Sequence, residues 1–201
     1  MMDNSKKEKI LKSSLEEFSE HGYEKASTDR ICERAGVSKG LIFHHFGSKD
    51  NLYMITMNNC INDILQEFDG LDTTDMDFMS IIKKTMKFKY EFFKKNPMHY
   101  KMMVTGFYNT PKKLRGELEK KYGELKQTGM GIVVDMLRSM PIKKNVSAAD
   151  AASMISAITN IIENKYMYYF TDEMASFDEF IDAANEEYIR LLNIVLYGIL
   201  D

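Results

Sequence analysis

Apolar residues recur every three to four positions along nearly the whole chain, and the every-second-residue alternation of a half-buried strand is missing. This pattern predicts an all-α protein of about nine helices. The first covers about 5–21, with Ile10, Leu11, Ser14, Leu15 and Phe18 on one face and Gly22 ending it. Thr28 is the expected N-cap of a helix to about Ala35, with Ile31 and Cys32 facing inward, and Gly36 falls where the turn needs a permissive backbone. Ser38 is expected to cap a short helix to about Phe46. Ser48 is expected to cap a long one to about Phe68, whose first turn holds Asp50 against the helix dipole. An acidic connection follows at 69–77, DGLDTTDMD. Its aspartates have neither the spacing of a calcium loop nor a closing glutamate. Helical patterns then cover about 77–95, 97–107, 111–139, 148–170 and 176–199. Pro97 and Pro111 suit first turns, Pro141 ends a helix, Gly129 and Gly131 are expected bend points, and Ser147 and Ser176 are expected caps. The expected division is a head at 1–50 and a second helical domain at 51–201.

Composition narrows the function classes. The chain has 201 residues, 44% of them hydrophobic, and a net charge of -3, which suits packed domains and excludes a disordered chain. No apolar run reaches the ~18 residues of a membrane span, and MMDNSKKEKI has no apolar targeting core, so a cytoplasmic protein is expected. Cys32 and Cys60 make no disulfide or metal framework. No phosphate loop, dinucleotide fingerprint, G-x-S-x-G or H-E-x-x-H occurs, so neither an enzyme nor a cofactor is expected. The adjacent His44 and His45 point about 100° apart on a helix and are poorly placed to share a metal ion.

The charge is unevenly spread. From Arg30 to Lys49 the charges are Arg30, Arg34, Lys39 and Lys49 against Glu33 alone, or 4 - 1 = +3. A local positive face suffices to engage phosphates, while an acidic remainder limits non-specific binding. The stretch TDRICERAGVSKGLIFHHFGSKDNLY, at 28–53, reads as helix, tight turn, helix, then a third helix at once. Ser38 offers a hydroxyl and leads the free N–H groups of a helix start, both suited to a phosphate oxygen. Gly40 weakens its helix by ~1 kcal/mol relative to alanine, a cost that makes sense if the helix must come very close to something. Leu41, Phe43 and His44 share the exposed side, while Ile42 and Phe46 point inward. An outward apolar side chain suits a thymine methyl.

In Phe18, Gly22–Tyr23, Thr28, Ile31, Ala35 through Gly40, Phe43, His45–Phe46, Ser48–Lys49 and Leu52, the segment resembles the DNA-binding domain of the TetR family of bacterial transcriptional repressors. The resemblance covers about 7–53. It implies an N-terminal three-helix helix-turn-helix domain followed by a divergent helical domain for ligand binding and dimerisation. By position, it implies that Thr28 is a phosphate-contacting cap, that Ser38 and Lys39 touch phosphate or base, and that Gly40 and Leu41 face bases. It further implies that Phe43 and His44 touch backbone and bases and that His45 and Lys49 meet phosphates. The Phe43 position is commonly tyrosine in the family, so one hydroxyl contact is lost here.

The second domain holds many of the chain's 16 Met, 12 Phe and 11 Tyr residues. Most belong to an ordinary helix core, but methionine adapts its shape and suits a cavity for an apolar ligand. Phe88, Phe92, Met103, Phe107, Met130, Met136, Glu163 and Tyr166 are the candidate lining residues. Glu163 is a polar anchor there, or faces solvent or a partner subunit. Ile155, Ile158, Ile162, Tyr188, Leu192 and Val195 recur at three and four on the last two helices. They either fill the chain's own core or make a homodimer surface, as the resemblance implies. The expected function is a homodimeric repressor that binds a palindromic double-stranded DNA operator and is released by a small apolar or amphipathic effector. The long 48–68 helix is the expected lever. An activator of the same fold and a non-DNA-binding carrier of apolar ligands remain open.

Overall fold

The computed structural model describes residues 4–108, 110–169 and 177–199. Nine helices occur among them: α1 (Asn4–Lys25), α2 (Thr28–Ala35), α3 (Lys39–Phe46), α4 (Lys49–Asp69), α5 (Phe78–Lys95), α6 (Pro97–Tyr108), α7 (Lys112–Arg138), α8 (Ala148–Tyr169) and α9 (Phe177–Ile199). The all-α fold read from the periodicity is the observed one. The regular run of α1 is broken at Gly22, whose φ of 64° and ψ of 175° lie outside the helical range, and the last turn resumes beyond it. Pro97 opens α6, where its missing N–H costs nothing. Ser147 caps α8, its Oγ accepting the Asp150 N–H at 3.0 Å. Ser176, the other expected cap, lies outside the described residues.

The described residues fall into two compact units. The first runs to Leu71 and takes in Glu91–Glu119; the second comprises Asp72–Tyr90 and the chain from Lys120 onward. The first unit therefore extends past the boundary drawn from sequence at residue 50 and includes the whole of α4, α6 and the start of α7. In it α1 packs against α2, α4 and α6. Ile10, Phe18, Ile31, Ile42, Leu52, Tyr53 and Met57 are buried at its centre. The ring of Tyr53 meets Phe18 edge-on at 5.0 Å and Tyr23 at 5.3 Å, arrangements that favour aromatic quadrupoles. Gly106 lets α6 close on α4, because a Cβ there would stand 2.1 Å from Met57 Cε and 3.6 Å from the Tyr53 hydroxyl. Met57 is fully enclosed, so its methyl has little room to withdraw. Gly106→Ala should therefore destabilise the protein by about 1–3 kcal/mol through overpacking. Denaturant unfolding checks this, and an unchanged midpoint would mean that Met57 repacks at no cost.

The second unit is built around Phe78, Met86, Leu137, Ala151, Ile155, Ile158, Ile162, Ala184, Tyr188 and Leu192. Of the two readings left open for the last helices, the packing favours the chain's own core. Ile155, Ile158, Ile162, Tyr188 and Leu192 lie inside the core of a single chain, and Val195 is half-buried against it. The physical reason is the mutual packing of α8 and α9, which consumes the apolar stripe of each. Thr159 Oγ1 and the Tyr188 hydroxyl, 3.1 Å apart, and an ion pair of 2.6 Å between Lys165 and Glu187 join the two helices. Among the described residues, the large apolar side chains left exposed in this unit are Met154 (52% exposed), Ile161 (59%), Ile194 (61%) and Tyr197 (84%).

Candidate nucleic-acid interface

The reading head is assembled by caps and left-handed glycines. Ser27, with an extended backbone at φ -116° and ψ 122°, caps α2 and accepts the N–H of Asp29 at 3.2 Å. The cap expected at Thr28 is thus one residue too late; Thr28 is half-buried in the first turn of the helix. Two adjacent hydroxyl residues fit the cap chemistry equally well in sequence, and only the backbone angles separate them. Gly36 ends α2 in the left-handed conformation, φ 65° and ψ 37°, and its N–H returns to the Cys32 and Glu33 carbonyls. Ser38 follows as the N-cap of α3 and accepts the Leu41 N–H at 3.3 Å. Gly47, at φ 73°, turns the chain from α3 into α4. There Ser48 accepts the Asn51 N–H at 3.1 Å, and Asn51 Nδ2 donates to the Phe46 carbonyl at 2.8 Å.

These turns fix what α3 hides and what it shows. Ile42 and Phe46 are buried, Leu41 is half-buried, and Lys39, Gly40, Phe43, His44 and His45 are exposed. Phe43, at 37% exposure, is a large apolar ring on an otherwise polar surface. The rings of His44 and His45 stand edge to face, 4.7 Å apart. No group of three metal-ligating side chains occurs among the described residues. Of the nine residues expected to touch DNA, α3 carries six, Ser38 caps it, Thr28 sits at the start of α2 and Lys49 at the start of α4.

The charges are less available than their count implies. Glu17 of α1 is completely buried and accepts the Ser27 N–H at 2.8 Å and Arg30 Nε at 2.9 Å. Arg34 pairs with Glu17 at 3.6 Å and with Glu20 at 3.4 Å. Burial alone would raise the Glu17 carboxyl's pKa, but the bonds from Arg30 and Ser27 outweigh it and hold the value below the ordinary one. Two of the four positive charges therefore serve the α1–α2 junction. Lys39 Nζ lies 2.8 Å from the exposed Asp29 carboxylate, a pair of little worth in water that a phosphate can replace. Lys49 is half-buried, with its ammonium 4.6 Å above the Tyr23 ring and donating to the Glu24 carbonyl at 3.4 Å. Burial lowers its pKa. Beside it, the Tyr23 hydroxyl donates to Asp50, which also holds Lys113 at 2.6 Å. The Lys113 ammonium, and then the Tyr23 hydroxyl, keep the Asp50 carboxyl below its usual range. Of the two nodes that brace the head, Glu17 was not singled out from sequence, and Asp50 was read only as a partner of the helix dipole. The available signal was Glu17 lying seven residues after Ile10 on the inward face of α1.

The candidate pocket residues are divided. Phe92 and Met103 belong to the first unit and Phe88 and Met136 to the second, while the side chains of Phe107, Met130, Glu163 and Tyr166 lie outside the described residues. Only Phe92 lines the open, mainly polar cleft found among the described residues.

Residues 10–54 match the family of bacterial regulatory proteins named for tetR. The HTH-type transcriptional repressor AcnR of Corynebacterium glutamicum is 51% identical over 51 residues, which is 25% of this chain and 27% of that protein. The chain thus matches about a quarter of the length of that relative. The negative transcriptional regulator IcaR of the icaADBC biofilm operon, from Staphylococcus aureus, is 23% identical over 195 residues, covering 94% of this chain and 98% of its own. A TetR-like transcriptional regulator from Rhodococcus sp. RHA1 shares the fold over 98% of this chain and 99% of its own, with a TM-score of 0.72 at 14% identity.

Proposed function

We propose that this chain, a member of the tetR family of bacterial regulatory proteins through residues 10–54, is a DNA-binding transcriptional repressor and not an enzyme. The observation that carries the reading is the exposed surface of α3. It presents Lys39, Gly40, Phe43, His44 and His45 on a helix locked by buried Ile42 and Phe46, between two left-handed glycines. A helix held that rigidly, with polar and apolar contacts side by side, suits the major groove. The N–H groups at the starts of α3 and α4, capped by Ser38 and Ser48, face phosphates on either side. Repression is supported by AcnR and IcaR, both described as repressing transcription. A DNA-bound role supports a cytoplasmic location. No helix among the described residues is long and apolar enough to cross a membrane.

The protein acts as a homodimer on a palindromic operator with half-sites one or more helical turns apart, each about 34–36 Å. The outer faces of α8 and α9, carrying Met154, Ile161, Ile194 and Tyr197, form the subunit contact. A small, largely apolar or amphipathic effector favours a form of the dimer that does not fit the operator. The methionine and aromatic content supports that class of ligand.

Two substitutions test the placement of the reading surface. Lys49→Ala should weaken every DNA site about equally and lower the salt slope by about one, because a phosphate contact carries no sequence information. Leu41→Ala should change the preference at one base position by about 1 kcal/mol. Binding to a library of operator variants measures both. An unchanged preferred sequence for Leu41→Ala would show that α3 does not read bases with this face.

A further inference from the structure

A cleft with a cavity volume of about 520 Å³ opens in the first unit between the last turns of α4 and the corner joining α5 to α6. Asp63, Gln66, Glu67 and Gly70 of the α4 side face Phe92, Asn96 and His99 on the other. Its size falls within the range of small-molecule sites. The walls are already joined by a polar contact, His99 Nε2 to Asp63 Oδ2 at 3.0 Å. The His99 ring stands edge-on to Phe92 at 5.6 Å, and Asn96 Nδ2 donates to the Phe92 carbonyl at 3.0 Å, which fixes the amide.

The lining is anionic. It carries the Asp63 and Glu67 carboxylates beside the neutral amides of Gln66 and Asn96, and no lysine or arginine is among the lining residues. The backbone adds to this. The cleft lies at the C-terminal end of α4, where the helix dipole is negative, and the last turn of α4 holds no basic residue to offset it. Lys94 and Lys95 end α5 but do not line the cleft. A metal ion is a poor occupant, because no three ligating side chains converge anywhere among the described residues.

We propose that this cleft binds a small organic cation carrying an ammonium or guanidinium group, seated on the Asp63 and Glu67 carboxylates with its carbon chain along Phe92. Several acceptors facing one cavity match a group that only donates. The cation displaces His99 from Asp63 and so loosens the contact of α6 with α4. Asp63 is fourteen residues along α4 from Lys49, about 21 Å at the helical rise, so the same rigid helix carries the cleft at one end and a proposed phosphate contact at the other. The regulatory consequence rests on the DNA-binding reading; the site itself does not.

Calorimetric titration of the full chain with 1,4-diaminobutane and with agmatine tests the site, with 1,4-butanediol and magnesium chloride as controls. The expected result is saturable binding of a diamine or agmatine at one per chain, weakened about tenfold, or 1.4 kcal/mol, by Asp63→Asn and by Glu67→Gln. Both side chains are exposed, and circular dichroism confirms that the variants fold. No saturable binding of either amine, equal binding of the diol, displacement by equimolar magnesium, or undiminished binding by the double variant would overturn the proposal. The titration contains no DNA, so its failure is separate from a failure of the protein to retard operator DNA.

Discussion

Gly40→Leu should leave the protein folded and cost it about 100-fold in operator affinity, or about 2.7 kcal/mol. In the free protein a Cβ at this position meets nothing nearer than Ser38 Oγ at 4.0 Å. The fold therefore does not require a glycine there, and its φ is not in the left-handed region that makes glycine necessary at Gly36 and Gly47. Within a helix, glycine is less stable than alanine by about 1 kcal/mol, so Gly40→Ala should raise stability by up to that amount. The reason for a glycine must then lie outside the chain, in a surface that α3 approaches closely. A leucine there would wedge α3 away from the groove and lengthen every contact made by Ser38, Lys39 and Leu41. Denaturant unfolding and operator binding, measured on the same two variants, should move in opposite directions. Operator affinity unchanged in Gly40→Leu would remove the close approach from the account.

Glu17→Gln should destabilise the head by about 1.5–3 kcal/mol, the range for hydrogen bonds to a charged group. The buried carboxylate accepts from Ser27 N and from Arg30 Nε, so it fixes both the N-cap of α2 and the arginine above it. An amide puts an N–H₂ donor where donors already converge. The pH dependence follows from the direction of the shift. The Glu17 pKa in the folded protein lies below its ordinary value of 4.5. Its contribution is therefore complete above pH 4.5 and is lost as the pH falls toward and through the lower folded value. Thermal unfolding from pH 7 to 3 should show an acid decline in the wild type that is smaller in Glu17→Gln. Parallel curves would assign the acid decline to other carboxylates.

The parts of the head that were legible in the sequence are those with local punctuation. Gly36, Ser38 and Ser48 each serve a backbone need that few residues meet, so α3 and the start of α4 could be placed to the residue. Ser27 and Thr28 illustrate the limit, since neighbouring hydroxyls offer the same cap chemistry. Long-range pairing was not legible. The +3 counted along 30–49 treats Arg30 and Arg34 as free, whereas folding brings both against Glu17 from a different helix. The last two helices stayed open between two readings for a related reason. An apolar stripe says that a face is buried without saying against what, and α8 and α9 bury theirs against each other. The large apolar side chains left exposed, Ile194 and Tyr197 among them, are recognisable only once that packing is known. Of the residues grouped as pocket candidates, Phe92 and Met103 fall in one unit and Phe88 and Met136 in the other, a division that composition, carrying no register, does not show.

The most direct measurement is retention of the wild-type chain's own upstream DNA in a gel, titrated with salt from 50 to 200 mM. If α3 and its flanking helix starts engage one operator half-site per subunit, specific retention should fall steeply and log-linearly with salt. A random duplex of equal length should be held orders of magnitude more weakly. Equal retention of both duplexes, or none of either at the lowest salt, would contradict the assignment of this helix as a reader of DNA sequence.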